Sequence, residues 1–175
     1  MSGLPIGGDR DVVDWVIERW AVERPDLDTS SIAVAGRLLR VAELLQRRLE
    51  VACRSCGLSL GELAVLTALR RSGRTDGLSP GQLGGALLIS SGGVTKRVVA
   101  LEERGLVARS RDERDGRGVL VSLTEAGRAL VDESVGPYLE AERSAISTLS
   151  ADEQATLAQL LRPLLAALEA SPAIR

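Results

Sequence analysis

The sequence predicts a mainly α-helical protein built on a winged helix-turn-helix, with a two-stranded β-hairpin as the wing and long N- and C-terminal helices. Three observations predict this fold. Residues 78–103 contain two short helical patterns joined by a polar turn, residues 107–123 contain two alternating strands around a charged loop, and apolar stripes with helical spacing lie on both sides. Because a winged helix-turn-helix places a helix in the major groove, we expect binding to double-stranded DNA.

The two short helices follow from local capping chemistry. Ser79 is a good N-cap, Pro80 suits the first helical position, and Gln82 completes a capping box. A polar turn, Ser-Ser-Gly-Gly at 90–93, precedes the second helix and offers Ser90 or Ser91 as its N-cap.

The second of these helices has the pattern of a recognition helix. Its apolar residues recur at spacings of four and three and face the core, whereas Thr95, Lys96 and Arg97 project from its N-terminal end. The alternative for Lys96 and Arg97 is a solvated helix face. The expected DNA contacts of the helix-turn-helix are Ser79, Ser90, Ser91, Gly92, Thr95, Lys96 and Arg97.

The hairpin is the expected wing. Apolar residues alternate along its strands, and the Asp-Gly pair at 115–116 is a strong tight-turn signal. The loop is rich in arginine, which binds phosphates and narrow minor grooves, so Arg114 and Arg117 are candidate DNA contacts. The alternative is a solvated loop tip.

The remaining segments predict long helices within one domain that spans residues 1–175. We expect an added N-terminal helix at 9–24, a frame helix at 31–56, the DNA-binding lobe at 59–123 and C-terminal helices at 124–169. Ser59 with Glu62 and Ser150 with Glu153 form capping boxes, and Thr124 caps the helix after the wing. The apolar stripes of the outer helices exceed what one small lobe can bury.

Together these motifs resemble the MarR family of bacterial winged-helix transcription factors. The resemblance covers roughly residues 35–168 and depends on Ile-Ser at 89–90, Gly-Val-Thr at 93–95, Leu-Glu-Glu-Arg-Gly-Leu-Val at 101–107 and Leu-Thr-Glu-Ala-Gly-Arg at 123–128. It implies that Asp115 braces Arg117, which enters the minor groove. The family's Asp-Arg-Arg wing has glycine here at its middle position, 116. The resemblance further implies a homodimer, formed by the outer helices, on a near-palindromic operator.

The N-terminal extension resembles that of the urate-responsive branch of the family. In that branch a tryptophan contacts the ligand, which implies a ligand contact from Trp20. The branch also uses an acidic residue where this chain has Ala64, so the resemblance extends to a small anion rather than to urate itself. The alternative is that Trp15 and Trp20 only pack the added helix.

Cys53 and Cys56 form a C-x-x-C pair at a helix end, which leaves three interpretations open. They are packing residues, a thiol redox switch, or half of a zinc site. The chain has no histidine and no second cysteine pair, so a closed zinc site would need further ligands, and we expect no metal.

Composition excludes several other classes of function. Without histidine, a nucleophile elbow or a phosphate loop, the sequence does not predict an enzyme or a cofactor. Aromatic residues make up only 2% of the chain, which disfavours binding of single strands or RNA. No apolar run is long enough for a membrane span and no signal peptide is evident, so we expect a cytoplasmic protein that does not bind membranes.

The expected function is therefore sequence-specific transcriptional regulation, as a repressor that a small-molecule effector releases from DNA. Two alternatives stay open. One is a redox-sensing regulator that uses Cys53 and Cys56. The other is a winged helix that docks proteins rather than DNA, which would lack the steep salt dependence of DNA binding.

Overall fold

The computed structural model describes residues 10–87, 93–112 and 118–171, and the chain divides into two compact units, residues 1–48 and 49–175. The order of elements confirms the predicted fold class, since helices dominate and one two-stranded antiparallel hairpin follows the helix-turn-helix. The elements are α1 (Val12–Glu23), α2 (Ile32–Ser55), α3 (Leu60–Arg71), α4 (Pro80–Ala86), α5 (Val94–Glu103), β1 (Val107–Arg111), β2 (Val119–Leu123), α6 (Glu125–Ala145) and α7 (Ala151–Ala170).

Most helices begin where capping chemistry predicts. Ser59, Ser79 and Ser150 each cap a helix through a complete capping box, and the hydroxyl of Thr124 accepts a hydrogen bond from the Gly127 amide. Each box satisfies backbone donors that the first helical turn would otherwise leave unpaired.

The start of α5 differs from the prediction. The helix begins at Val94 with Gly93 as its N-cap, at φ +78°, rather than with Ser90 or Ser91 as the cap. Glycine tolerates this left-handed conformation without a steric penalty, so a sharp backbone turn rather than a serine side chain sets the start of the helix. Consequently Thr95 and Lys96 belong to the very first turn.

The wing is a regular hairpin with a short third partner. Strands β1 and β2 pair antiparallel from Val107 opposite Leu123 to Arg111 opposite Val119. Leu78, just before α4, also exchanges two backbone hydrogen bonds of 2.9 Å with Val121. This bridge fixes the base of α4 to the wing.

The core of residues 49–175 is centred on α3. Five residues of this helix are buried, and the wing, α4, α5 and α6 all pack against it. The largest fully buried side chains are Leu58, Leu63, Leu66, Leu83, Leu101, Val65, Val121, Val131, Cys53 and Ser134. A leucine and valine core thus holds the helix-turn-helix and the wing in a fixed relation to each other.

In residues 10–48, α1 packs on the first part of α2. Gly36 permits this close approach, because a Cβ there would stand 3.1 Å from a methyl group of Val13, which is buried. The Arg37 guanidinium bonds Asp11 at 2.8 Å and Asp14 at 2.6 Å, and Asp11 also caps α1. The predicted added helix is therefore a capped element with a specific attachment.

The last helix has no buried residue. Its leucines stay between 36% and 66% exposed, namely Leu157, Leu160, Leu161, Leu164, Leu165 and Leu168. In the described part of the chain no single helix is long and apolar enough to cross a membrane; only α2 and α3 taken together as a bent pair reach that length and composition.

Candidate nucleic-acid interface and adjoining pocket

The helix-turn-helix holds α5 by its apolar back. Val94, Val98 and Leu101 are buried at the predicted spacing, and Leu83 of α4 is fully buried beside them. The opposite side of the first turn is open, and both Thr95 and Lys96 are exposed there. Gly93 has no side chain to cap the first amides of the helix, so they add positive potential beside these residues.

Lys96 and Arg97 do not act as a matched pair. Arg97 is half-buried and lies over α3, since a Cβ at Gly61 would stand 2.4 Å from its Nε atom. The expectation that Arg97 faces DNA together with Lys96 therefore needs its guanidinium to leave this position. Lys96, the only lysine in the chain, is the exposed cation of this turn in the structure.

Two ion pairs fix α5 against its neighbours. Arg109 of β1 lies 3.3 Å from Glu102, which links the wing to the helix. Arg104 bonds Glu62 and the Gly57 carbonyl, both at 3.0 Å, which links the end of α5 to the start of α3. Burial raises the pKa of Glu62, but the hydrogen bonds from Ser59 and Arg104 lower it further, so the net shift is downward.

Several predicted contacts lie outside the described residues. These are Ser90, Ser91 and Gly92 in the turn, and Arg114, Asp115 and Arg117 in the wing loop. The base of that loop is closed by a hydrogen bond of 2.8 Å from the Asp112 amide to the Gly118 carbonyl. Ser79, also a predicted contact, is half-buried and engaged in the capping box of α4.

A cavity of about 280 Å³ lies between α3 and α6. Its walls are mainly apolar, from Leu60, Leu63, Ala64, Val135 and Leu139. Its polar groups are Thr67, Arg70, Arg71, Tyr138 and Glu142. Such a pocket, with apolar walls and a few polar groups of both signs, suits a small organic ligand.

The polar groups of this pocket are held by defined partners. Arg70 forms a two-point ion pair with Asp132 of α6, at 2.7 and 3.2 Å, and this hydrogen bonding lowers the pKa of the Asp132 carboxyl. Arg71 donates a hydrogen bond of 2.9 Å to the carbonyl of Ala86, the last residue of α4. Burial, followed by a hydrogen bond with Glu142, raises the pKa of the Tyr138 hydroxyl.

Sequence reasoning missed this pocket except for Ala64. Arg70 and Asp132 are 62 residues apart, so no local pattern joins them. The one available signal was Tyr138, the only tyrosine of the chain, which follows a proline within α6.

The cysteines are placed differently from each other. Cys53 is 1% exposed and Cys56 is half-buried. Burial, with the nearby Glu50 carboxylate, raises the pKa of Cys53 from 9.0 to about 11, which disfavours the reactive thiolate. Among the described residues, no three histidine, cysteine or acidic side chains gather as a metal site.

Trp20, the predicted ligand contact, lies on α1 and is 45% exposed. It lines a shallow surface groove with Trp15, Val16, Arg19 and Glu23. Both tryptophans thus belong to the same face of the added helix.

Comparison with known proteins agrees with this architecture. The sequence model of the MarR family matches residues 57–118. The chain is 37% identical over 146 residues to the transcriptional regulator PecS of Dickeya dadantii, covering 83% of this chain and 88% of PecS.

Solved structures show the same likeness. BpsR of Bordetella bronchiseptica, whose DNA binding is regulated by 6-hydroxynicotinic acid, has a TM-score of 0.67 and 30% identity, over 75% of this chain and 98% of that one. A mutant MarR of E. coli complexed with operator DNA has a TM-score of 0.68 and 27% identity, over 79% of this chain and 99% of that one.

Proposed function

The chain belongs to the MarR family of winged helix-turn-helix transcriptional regulators, and from this premise we propose that it represses transcription in the cytoplasm as a homodimer on a near-palindromic operator. One observation carries the proposal. The first turn of α5 presents Thr95 and Lys96 to solvent on a helix whose back is fixed in the core. That is the arrangement by which a recognition helix inserts its N-terminal end into the major groove.

The other predicted contacts complete this proposed interface. Ser90, Ser91 and Gly92 would approach phosphates beside the recognition helix, and Arg114 and Arg117 would extend the wing into the minor groove. The ion pair between Arg109 and Glu102 supports this assignment, because it couples the position of the wing to that of α5. Arg97 joins them only if DNA draws it away from α3.

Exposed leucines support the homodimer. All six leucines of the α7 stripe stay at least one-third exposed within one chain, and a second copy would remove this apolar surface from water. A dimer also places two recognition helices about 34 Å apart, one turn of the DNA helix, which matches a near-palindromic site.

The proposed effector is a small aromatic acid bound between α3 and α6. The apolar walls would contact a ring, Arg70 and Arg71 would bind a carboxylate, and Tyr138 with Glu142 would meet a second polar group. The regulation of BpsR by 6-hydroxynicotinic acid supports this class of compound, because that acid carries both groups. Ala64 leaves the wall apolar where the urate-responsive branch has an acid, so urate is the expected non-ligand.

The DNA proposal is tested by selecting duplexes from a random pool at two salt concentrations. We expect a near-palindrome whose affinity falls steeply with salt as phosphate contacts release counterions. Because Lys96 is the only lysine, acetylation with an amine reagent, read by mass spectrometry, then reports directly on the groove. The selected duplex should protect Lys96, whereas a scrambled duplex of equal length should protect it much less at the same salt.

The effector proposal is tested with 6-hydroxynicotinate and its neutral carboxamide. We expect the acid to bind the free protein and weaken its hold on the selected operator, and the carboxamide to do neither. Absence of any enriched duplex would contradict the DNA proposal and favour a protein-docking winged helix. Equal effects of acid and carboxamide would contradict the assignment of Arg70 and Arg71 as anion ligands.

A further inference from the structure

Arg71 belongs to two sites at once. It is the last residue of α3 and lines the pocket, yet its guanidinium also donates a 2.9 Å hydrogen bond to the Ala86 carbonyl at the end of α4. Helix α4 is the first helix of the helix-turn-helix, and it packs against the recognition helix α5. One side chain therefore joins the proposed effector site to the DNA-binding elements.

Helix α4 has little to hold its C-terminal end. It has seven residues, of which three are glycines, and glycine is the poorest helix former after proline. Its C-cap, Leu87, is extended, and no backbone amide within the described part of the chain closes its last turn, whereas Arg24 closes α1 and Ser72 closes α3. The hydrogen bond from Arg71 takes the place of that missing C-cap.

The two arginines of the pocket differ in how readily an anion can take them. Arg70 already has a carboxylate partner, Asp132, in a two-point ion pair. Arg71 has only a neutral carbonyl in this structure, and a carboxylate forms a hydrogen bond about twice as strong. An entering carboxylate therefore draws Arg71 in preference to Arg70.

We propose that Arg71 is a positioning residue that couples the pocket to DNA binding by capping α4 only when no acid is bound. When a carboxylate takes its guanidinium, the end of α4 loses its cap, and the segment between Ala86 and Val94 loses its fixed starting point. The DNA-binding form of the helix-turn-helix then becomes less populated. The coupling rests on the proposed function, since it regulates the same effector site.

The first test is Arg71→Ala without any effector. If Arg71 only binds the ligand, this variant keeps full operator affinity and merely loses the response. If it positions α4, the operator affinity already falls, by about 5-fold for the loss of one exposed charge-assisted hydrogen bond per protomer. Hydrogen exchange in residues 83–87 should quicken at the same time, whereas exchange in α3 should not change.

The second test restores α4 by another route. Gly85 is exposed, and a Cβ there would meet no atom within 4 Å, so Gly85→Ala raises the helical preference of α4 by about 5-fold without a clash. This variant should bind 6-hydroxynicotinate as wild type does, yet release its operator less. The double variant with Arg71→Ala should recover operator affinity but not the response to the acid.

Two results would overturn the inference. One is full operator affinity and unchanged exchange in Arg71→Ala. The other is Gly85→Ala releasing its operator at the same acid concentration as wild type, with equal acid affinity by calorimetry. If wild type binds no small acid, the effector part of the proposed function fails, while the affinity and exchange of Arg71→Ala still decide whether Arg71 positions α4.

Discussion

Replacing two leucines at the centre of the α7 stripe should weaken a homodimer without unfolding one chain. Leu164 and Leu168 lie one helical turn apart and are 39% and 49% exposed. Full burial of a leucine contributes about 2 kcal/mol, so covering the exposed parts adds about 1 kcal/mol each. The double alanine variant keeps the Cβ atoms but loses this term on both protomers, about 3 kcal/mol together, which is roughly a 100-fold rise in the dimer dissociation constant.

The assay is sedimentation equilibrium over a wide range of protein concentration. Gln159→Ala is the matched control, because Gln159 lies on the same helix about half a turn from the stripe and is exposed. Circular dichroism should show equal helix content for all three proteins, since no residue of α7 is buried within the chain. Operator affinity should fall with dimer stability, because the two half-sites are bound together.

Two outcomes would refute this reasoning. A wild-type protein that stays monomeric at micromolar concentration would mean that the leucines do not mediate self-association. A double variant that dissociates at the wild-type concentration would place the interface elsewhere on the molecule.

Three further predictions concern residues that the fold constrains. Gly77→Ala should lower the unfolding midpoint in urea by several kcal/mol equivalents, because Gly77 has φ +96° and a Cβ would stand 2.2 Å from the Val121 carbonyl oxygen; an unchanged midpoint would contradict the placement of that bridge. In a Cys56→Ser background, Cys53 should react with iodoacetamide at pH 8 about 100-fold more slowly than a thiol of pKa 9.0, because its pKa is about 11; rapid labelling of the folded protein would revive the redox interpretation. Ser59→Ala should cost about 1 kcal/mol in denaturant unfolding through loss of the α3 capping box, and Ser59→Thr should cost less.

Local chemistry made the helices predictable from the sequence. A serine or threonine N-cap acts on amides two or three residues away, so its pattern is complete within one short segment. The start of α5 escaped this reasoning because Gly93 sets it by a backbone conformation, and no side chain marks that position. Predictions failed where the backbone, rather than a capping side chain, determines the boundary.

The DNA-binding surface was only partly predictable for a related reason. Lys96 and Arg97 are neighbours in sequence, but successive residues of a helix point about 100° apart. Whether the second of them faces DNA or packs over α3 depends on Gly61, which leaves room above its backbone. That dependence joins residues far apart in the chain, as does the ion pair of Arg70 with Asp132, and periodicity carries no information about either.

The division of the lobe into strong and weak parts explains how a small ligand can control it. Leucine and valine side chains fix α3 and the back of α5, whereas α4 combines three glycines with a C-terminal end held by Arg71. Exchange of one hydrogen bond to a charged group alters stability by roughly 1.5–3 kcal/mol, which is the usual size of an allosteric coupling energy. Applied to the core, such a change would be lost within the total stability of the lobe. Applied to α4, it is comparable with the helix's own preference to form, so one aromatic acid per protomer suffices to shift the helix-turn-helix away from its DNA-binding form.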